Sequence, residues 1–173
     1  MKKLITASIA AATLTLSMGA SASPFTYIDY AIGNVEHDGG GDGDYSNLSI
    51  SFETIVLPIL SLELVDFSGT DITKIGAGTA LAVGGSSHIF GFVHYNDYSG
   101  NTDSDFSLRA GFRTTIGDRL EGTIAFTQYT DHDYYDSTKF SLGYYFTPNL
   151  SVAGNYEDLD SSNVISASAR LSF

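Results

Sequence analysis

Carboxylates carry most of the chemistry this chain could perform. Its 173 residues include 20 Asp or Glu against 8 Lys or Arg, a formal net charge of −12. Many of the acids gather in polar stretches: Glu36 to Asp44, Asp66 to Asp71, Asp97 to Asp105, Asp131 to Asp136, and Asp158 with Asp160. None of those stretches contains a Lys or Arg. Flexible, oxygen-rich loops suit hard cations such as Ca²⁺ or Mg²⁺, which take six or more oxygen ligands. Asp38, Asp42 and Asp44, in the run Asp38-Gly-Gly-Gly-Asp-Gly-Asp44, are the candidate metal ligands. The run lacks the distal Glu of an EF-hand and departs from the Gly-Gly-x-Gly-x-Asp repeat. The competing reading is a solvated, self-repelling acidic cap. An acidic balance excludes a nucleic-acid binder, which needs basic residues against phosphate. The absence of cysteine excludes thiolate metal sites and a disulfide framework.

These loops need elements to hold them, and the chain supplies alternation. Met1-Lys2-Lys3, an apolar run from Leu4 to Leu16 and Ala20-Ser21-Ala22 have the three-part pattern of a secretory signal peptide. Residues 1–22 are therefore read as a signal and 23–173 as the mature domain. In the mature domain the hydrophobic period is two. Leu48, Ile50 and Phe52 alternate with Asn47, Ser49 and Ser51, and Phe106, Leu108, Ala110 and Phe112 with Ser107, Arg109, Gly111 and Arg113. Successive strand side chains point to opposite faces, so each segment has one apolar and one polar side. The spacing predicts strands at 25–36, 45–56, 60–67, 73–83, 88–96, 105–116, 120–130, 138–146, 150–158 and 164–173. Tight turns alternate with longer acidic loops, which is the pattern of an all-β, closed, antiparallel up-and-down transmembrane barrel. Ten strands is the preferred count and eight the alternative.

Charge decides which face meets lipid. With Ile75, Leu81, Leu120, Ile124, Phe126, Leu150 and Val152 outside, outward charges fall only at the loop-side tips. A cation at the midplane of a barrel's lipid face costs about 2–4 kcal/mol, which accounts for that distribution. The inward set is then Asp29, Glu53, Glu63, Glu121 and Glu157 with Lys74, Arg109, Arg113, Lys139 and Arg170. Charges confined within a narrow wall must pair or stay hydrated, so these ten are expected to form a lumen network. Inward Gly76, Gly78, Ala80 and Ala82 leave room for some water. The segment 88–96 has no defined facing, because Phe90 and Phe92 oppose Ile89, Val93 and Tyr95. Tyr30, Tyr95, Tyr129 and Tyr156 on the loop side, and Phe25, Phe146 and Phe173 on the turn side, are expected to form interfacial girdles.

The last eight residues, Ser166-Ala-Ser-Ala-Arg-Leu-Ser-Phe173, resemble the carboxy-terminal assembly signal of bacterial outer-membrane proteins. Ser166, Leu171 and Phe173 match it, while Ser168 stands where that signal has glycine. With the signal peptide and the alternating strands, the chain resembles the small outer-membrane β-barrel proteins of Gram-negative bacteria. The resemblance implies insertion by the barrel-assembly machinery and both termini in the periplasm. It supplies no shared activity. The expected role is non-enzymatic: a structural or interaction barrel at the cell surface, its nearly filled lumen beneath acidic loops that meet divalent cations or lipopolysaccharide. The alternative is a narrow pore or small-solute channel. A third reading is a hydrolase. Ten-stranded outer-membrane proteases use acids and an Asp–His couple, for which Asp131-His132-Asp133 with Asp97 is the nearest match, while His37 and Ser46 are the candidates for acyl transfer.

Overall fold

The computed structural model describes residues 23–54, 58–100 and 102–173. Residues 1–22, on which the signal-peptide expectation falls, and Val56 and Leu57 at the first turn, lie outside them. Ten strands form: β1 (Tyr27–His37), β2 (Asp42–Glu53), β3 (Ile59–Phe67), β4 (Thr70–Gly84), β5 (Ser87–Tyr98), β6 (Asp105–Ile116), β7 (Leu120–Tyr129), β8 (Ser137–Tyr145), β9 (Leu150–Leu159) and β10 (Ser162–Ser172). Each pairs antiparallel with its neighbours in sequence, and β10 closes on β1 with Arg170 opposite Asp29. One short 3-10 turn, Asp133–Tyr135, sits between β7 and β8. A register shift at Ala82/Gly84 marks the end of the β4–β5 pair.

Alternation assigns the faces as the charges require. Apolar side chains point outward, with Leu81 65% and Ile75 59% exposed. The outward charges Glu36, Asp42, Asp44, Asp66, Asp71, Asp97 and Asp158 all lie on the strand ends nearest the long connections. A barrel satisfies every interior backbone group within its own wall, leaving no open edge, which is what a hydrocarbon medium demands.

The structure resolves the facing of β5. Phe90, Phe92, His94, Asn96 and Tyr98 point inward and are buried, whereas Ile89, Val93 and Tyr95 are exposed. The neighbouring strand makes this fit. Phe92 covers Gly78 and the His94 ring covers Gly76, where a Cβ would overlap those rings. The inward glycines therefore receive aromatic rings rather than water, contrary to expectation. Two girdle assignments also change: Phe25 is 3% and Tyr129 8% exposed, both inside. Tyr129 shares the odd-numbered face of β7 with Glu121 and Thr127. Phe25 precedes β1 and packs edge-on against Phe90.

Two apolar clusters occupy the lumen ends. Phe25, Ile59, Phe90, Phe92 and Ala125 gather on the side of the tight turns. Val35, Tyr45, Val65, Ile72, Tyr98, Tyr129, Tyr135 and Val164 gather beneath the long loops.

Candidate functional site: the lumen and its mouth

Between the clusters the inward charges pair across the barrel. Arg109 on β6 reaches Glu63 on β3 with two hydrogen bonds, Nη1 at 2.6 Å and Nη2 at 3.2 Å. Lys74 on β4 donates to the Tyr129 hydroxyl on β7 at 2.6 Å. Arg170 on β10 bridges Asp29 and Glu121, each at 3.0 Å. Lys139 pairs with Glu157 at 3.3 Å, and Arg113 lies 3.5 Å from Glu121. These links join strands three places apart as well as neighbours, so they strap the lumen as well as lining it. Each ion has a partner, as burial of charge requires.

Nine of the ten sequence-assigned lumen charges are in this arrangement. Glu53 is the exception. It sits exposed at the turn-side rim, accepting a hydrogen bond from the Ser23 hydroxyl while its amide donates to Thr26. Its position at the last residue of β2 carries it past the network even though its parity is inward. His94 was missed for want of a β5 facing. Its Nε2 lies 3.1 Å from the Ser61 hydroxyl and 3.8 Å from Glu63, with its ring stacked on Phe92.

At the loop end the sequence reading misjudged Asp105. It groups with the acidic cap by position, yet it is 2% exposed and points inward. Asn96 Nδ2 donates to its Oδ1 at 2.8 Å and the Tyr98 hydroxyl at 2.9 Å, while His132 Nδ1 lies 3.2 Å from its Oδ2. Its parity with Arg109 and Arg113 on β6 was the signal that could have found it. His132 therefore pairs with Asp105, not with Asp131, Asp133 or Asp97. His37 and Ser46 do not meet either: His37 lies 3.3 Å from the Ser68 hydroxyl, and Ser46 points outward between inward Tyr45 and Asn47.

The expected metal loop is not assembled. Among the described residues no three His, Asp or Glu side chains gather where one ion could join them. Asp38 lies beyond β1, while Asp42 and Asp44 point outward from β2. Of the assembly-signal residues, Ser166 is buried inward, and Leu171 and Phe173 are exposed on the outer face.

Space remains among these groups. A lumen cavity of about 150 Å³ is lined from Phe25 at one end to Tyr135 at the other. A vestibule of about 470 Å³ opens on the turn side against Pro24, His88 and Tyr145. Arg113 and Glu121 line both, so the two spaces adjoin at that pair. At the loop end the cavity is lined by the buried Tyr135. Burial and then the adjoining Tyr134 push its phenol up to about 12.

No family model matches this sequence, and no curated protein matches it. Its fold does have counterparts. The KdgM porin in complex with disordered oligogalacturonate superposes with a TM-score of 0.59 at 15% identity, over 86% of this chain and 99% of the porin. The fold is that of an outer-membrane β-barrel. A second KdgM porin structure gives 0.58 at 15% identity with the same coverage. The outer membrane protein Omp33 of Acinetobacter baumannii gives 0.49 at 10%, over 86% of this chain and 98% of that one. At these identities the likeness concerns the barrel and not the side chains within it.

Proposed function

We propose that this barrel crosses the outer membrane as a narrow channel for small cations and small neutral solutes, with both termini in the periplasm. The observation that carries the reading is the continuity of open space: the vestibule and the lumen cavity share Arg113 and Glu121, and the lining of the cavity extends to Tyr135. A barrel built only as a wall anchor has no use for that space and would gain by filling it. The straps at Arg109–Glu63, Lys74–Tyr129 and Arg170–Glu121 cross the lumen among the residues that line this cavity.

Selectivity follows from the mouth. Acidic loops without Lys or Arg concentrate cations and repel anions over about a Debye length, roughly 8 Å in physiological salt. Oligogalacturonate, held by the KdgM porin, is a polyanion. The acidic mouth opposes such a ligand here, so that cargo is not carried over with the fold. Ser166, Leu171 and Phe173 serve as the assembly signal read by the barrel-assembly machinery. A second reading, a surface role in which the loops meet lipopolysaccharide through Ca²⁺ or Mg²⁺, is favoured by the two apolar clusters that narrow the lumen.

Single-channel recording from the mature chain in planar bilayers tests the choice. Cation-selective steps, with the reversal potential in a salt gradient set by the cation, are expected. A folded chain that gives no steps, with or without residues 131–135, overturns the channel reading and leaves the surface role.

A further inference from the structure

Among the described residues, the segment joining β7 to β8 is the connection that holds a 3-10 turn. Thr130 still belongs to the wall, its amide donating to the Phe106 carbonyl and its hydroxyl accepting from the Phe106 amide. Asp136 re-enters the wall, its carboxylate accepting the Tyr129 amide at 2.7 Å. Between them Asp133–Tyr135 coils into a single 3-10 turn held by its own bonds, Tyr135 amide to His132 carbonyl and Asp136 amide to Asp133 carbonyl.

That turn leans inward across the opening. Tyr135 is 9% exposed, although it belongs to a loop. It stacks on Tyr98 of β5 with ring centres 5.6 Å apart, meets Phe67 of β3 edge-on at 5.6 Å, and lies 5.7 Å from Tyr129 of β7. One side chain from the β7–β8 connection thus touches strands from β3 to β7, which places it over the bore. A side-chain bond also ties the segment to another part of the wall, His132 to Asp105.

We propose that residues 131–135 form a hinged lid over the loop-side mouth of the lumen, with Tyr135 as the stopper and buried Asp105 as the catch. The proposal rests on the channel reading and adds a moving part to it. Three features separate a lid from fixed packing. First, the hinge points are defined, because Thr130 and Asp136 are bonded into the wall and the residues between them are bonded mainly to one another. Second, opening strands no charge. When His132 leaves, Asp105 keeps the Asn96 and Tyr98 donors, and water reaches its freed oxygen. Third, the lid and its hinge carry Asp131, Asp133 and Asp136 into a rim of like charge, which biases the segment outward. The aromatic contacts of Tyr135 and the Asp105–His132 pair oppose that bias. The closed and open arrangements are thereby held close in free energy, as a gate requires.

Open probability in single-channel records from the mature chain is the readout, with heat-modifiable migration on gels confirming that each variant folds. Tyr135→Ala removes the stopper and is expected to raise open probability about tenfold or more, since aromatic pairings of this kind are each worth about a factor of ten at most and several are lost together. His132→Ala, which frees the catch but keeps the ring, should give a smaller rise. Tyr135→Phe retains the ring and should stay closed like the parent chain. Equal open probability in all four chains, with conduction present, overturns the lid and leaves the channel standing. No conduction in any of them overturns both. A rise confined to Tyr135→Ala supports the stopper and overturns Asp105 as the catch.

Discussion

The two ends of the lumen are closed by different means. On the turn side the seal is phenylalanine: Phe92 projects from β5 into space that Gly78 leaves open on β4, Phe90 into space that Gly111 leaves open on β6, and Phe25 packs beside them. On the loop side the seal is tyrosine, and its central ring, Tyr135, comes from a connection rather than a strand. Phe90 and Phe92, rings without polar atoms on one strand hydrogen-bonded on both sides, cannot leave without opening the barrel. A phenol on a short turn can swing away, because its hydroxyl is at home in water and its backbone is outside the ladder. Aromatic surface is thus permanent packing at one end and removable at the other.

The largest expected effect lies at the fixed end. Phe92→Ala should lower unfolding stability in detergent or lipid by about 3–5 kcal/mol, read as a fall in the urea midpoint at unchanged slope. Tyr135→Ala should move that midpoint far less, and equal losses at both positions would erase the distinction between wall and lid. Gly78→Val sharpens the comparison from the other side. Its side chain would overlap the Gly91 carbonyl oxygen and the Phe92 ring, and overpacking of this kind costs about 1–3 kcal/mol. Part of that loss should be relieved by combining it with Phe92→Ala, the overlap with the Gly91 carbonyl remaining, and no relief at all would count against the glycine as the seat of the ring.

The smallest effect concerns alkali. Burial raises the Tyr135 phenol to about 12 from the ordinary 10.0, so the closed lid holds a proton that the open lid loses earlier. Closure is therefore fully supported below pH 10 and declines as pH rises toward 12. A phenolate absorbance step near pH 12 that disappears in Tyr135→Phe is the expected signature, and its persistence in that variant would count against Tyr135 as the buried ring.

Strand parity was legible one segment at a time. Arg109 with Arg113, and Glu121 with the small and polar residues that follow it, declared the inward face of β6 and β7 with no knowledge of their neighbours. Strand β5 did not declare itself, because both its faces are apolar, and the deciding information sat on β4 as two glycines opposite the rings. Asp105 shows a different failure. Its place at the end of a polar stretch outweighed its parity, although parity was right. His132 could only be given a partner by proximity in sequence, and the true partner is 27 residues away.

The sequence by itself determined that this chain is a barrel, which side of each strand is greasy, and that nearly all of its mature-domain basic residues face inward. Those are consequences of a period-two backbone in which each side chain's direction depends only on its own position. Tertiary structure decided which acid each base meets, that Phe25 and Tyr129 turn inward, and that Tyr135 reaches over the bore. Such contacts depend on the register of ten strands closed into a ring, a quantity that accumulates from strand to strand and is written in no single segment.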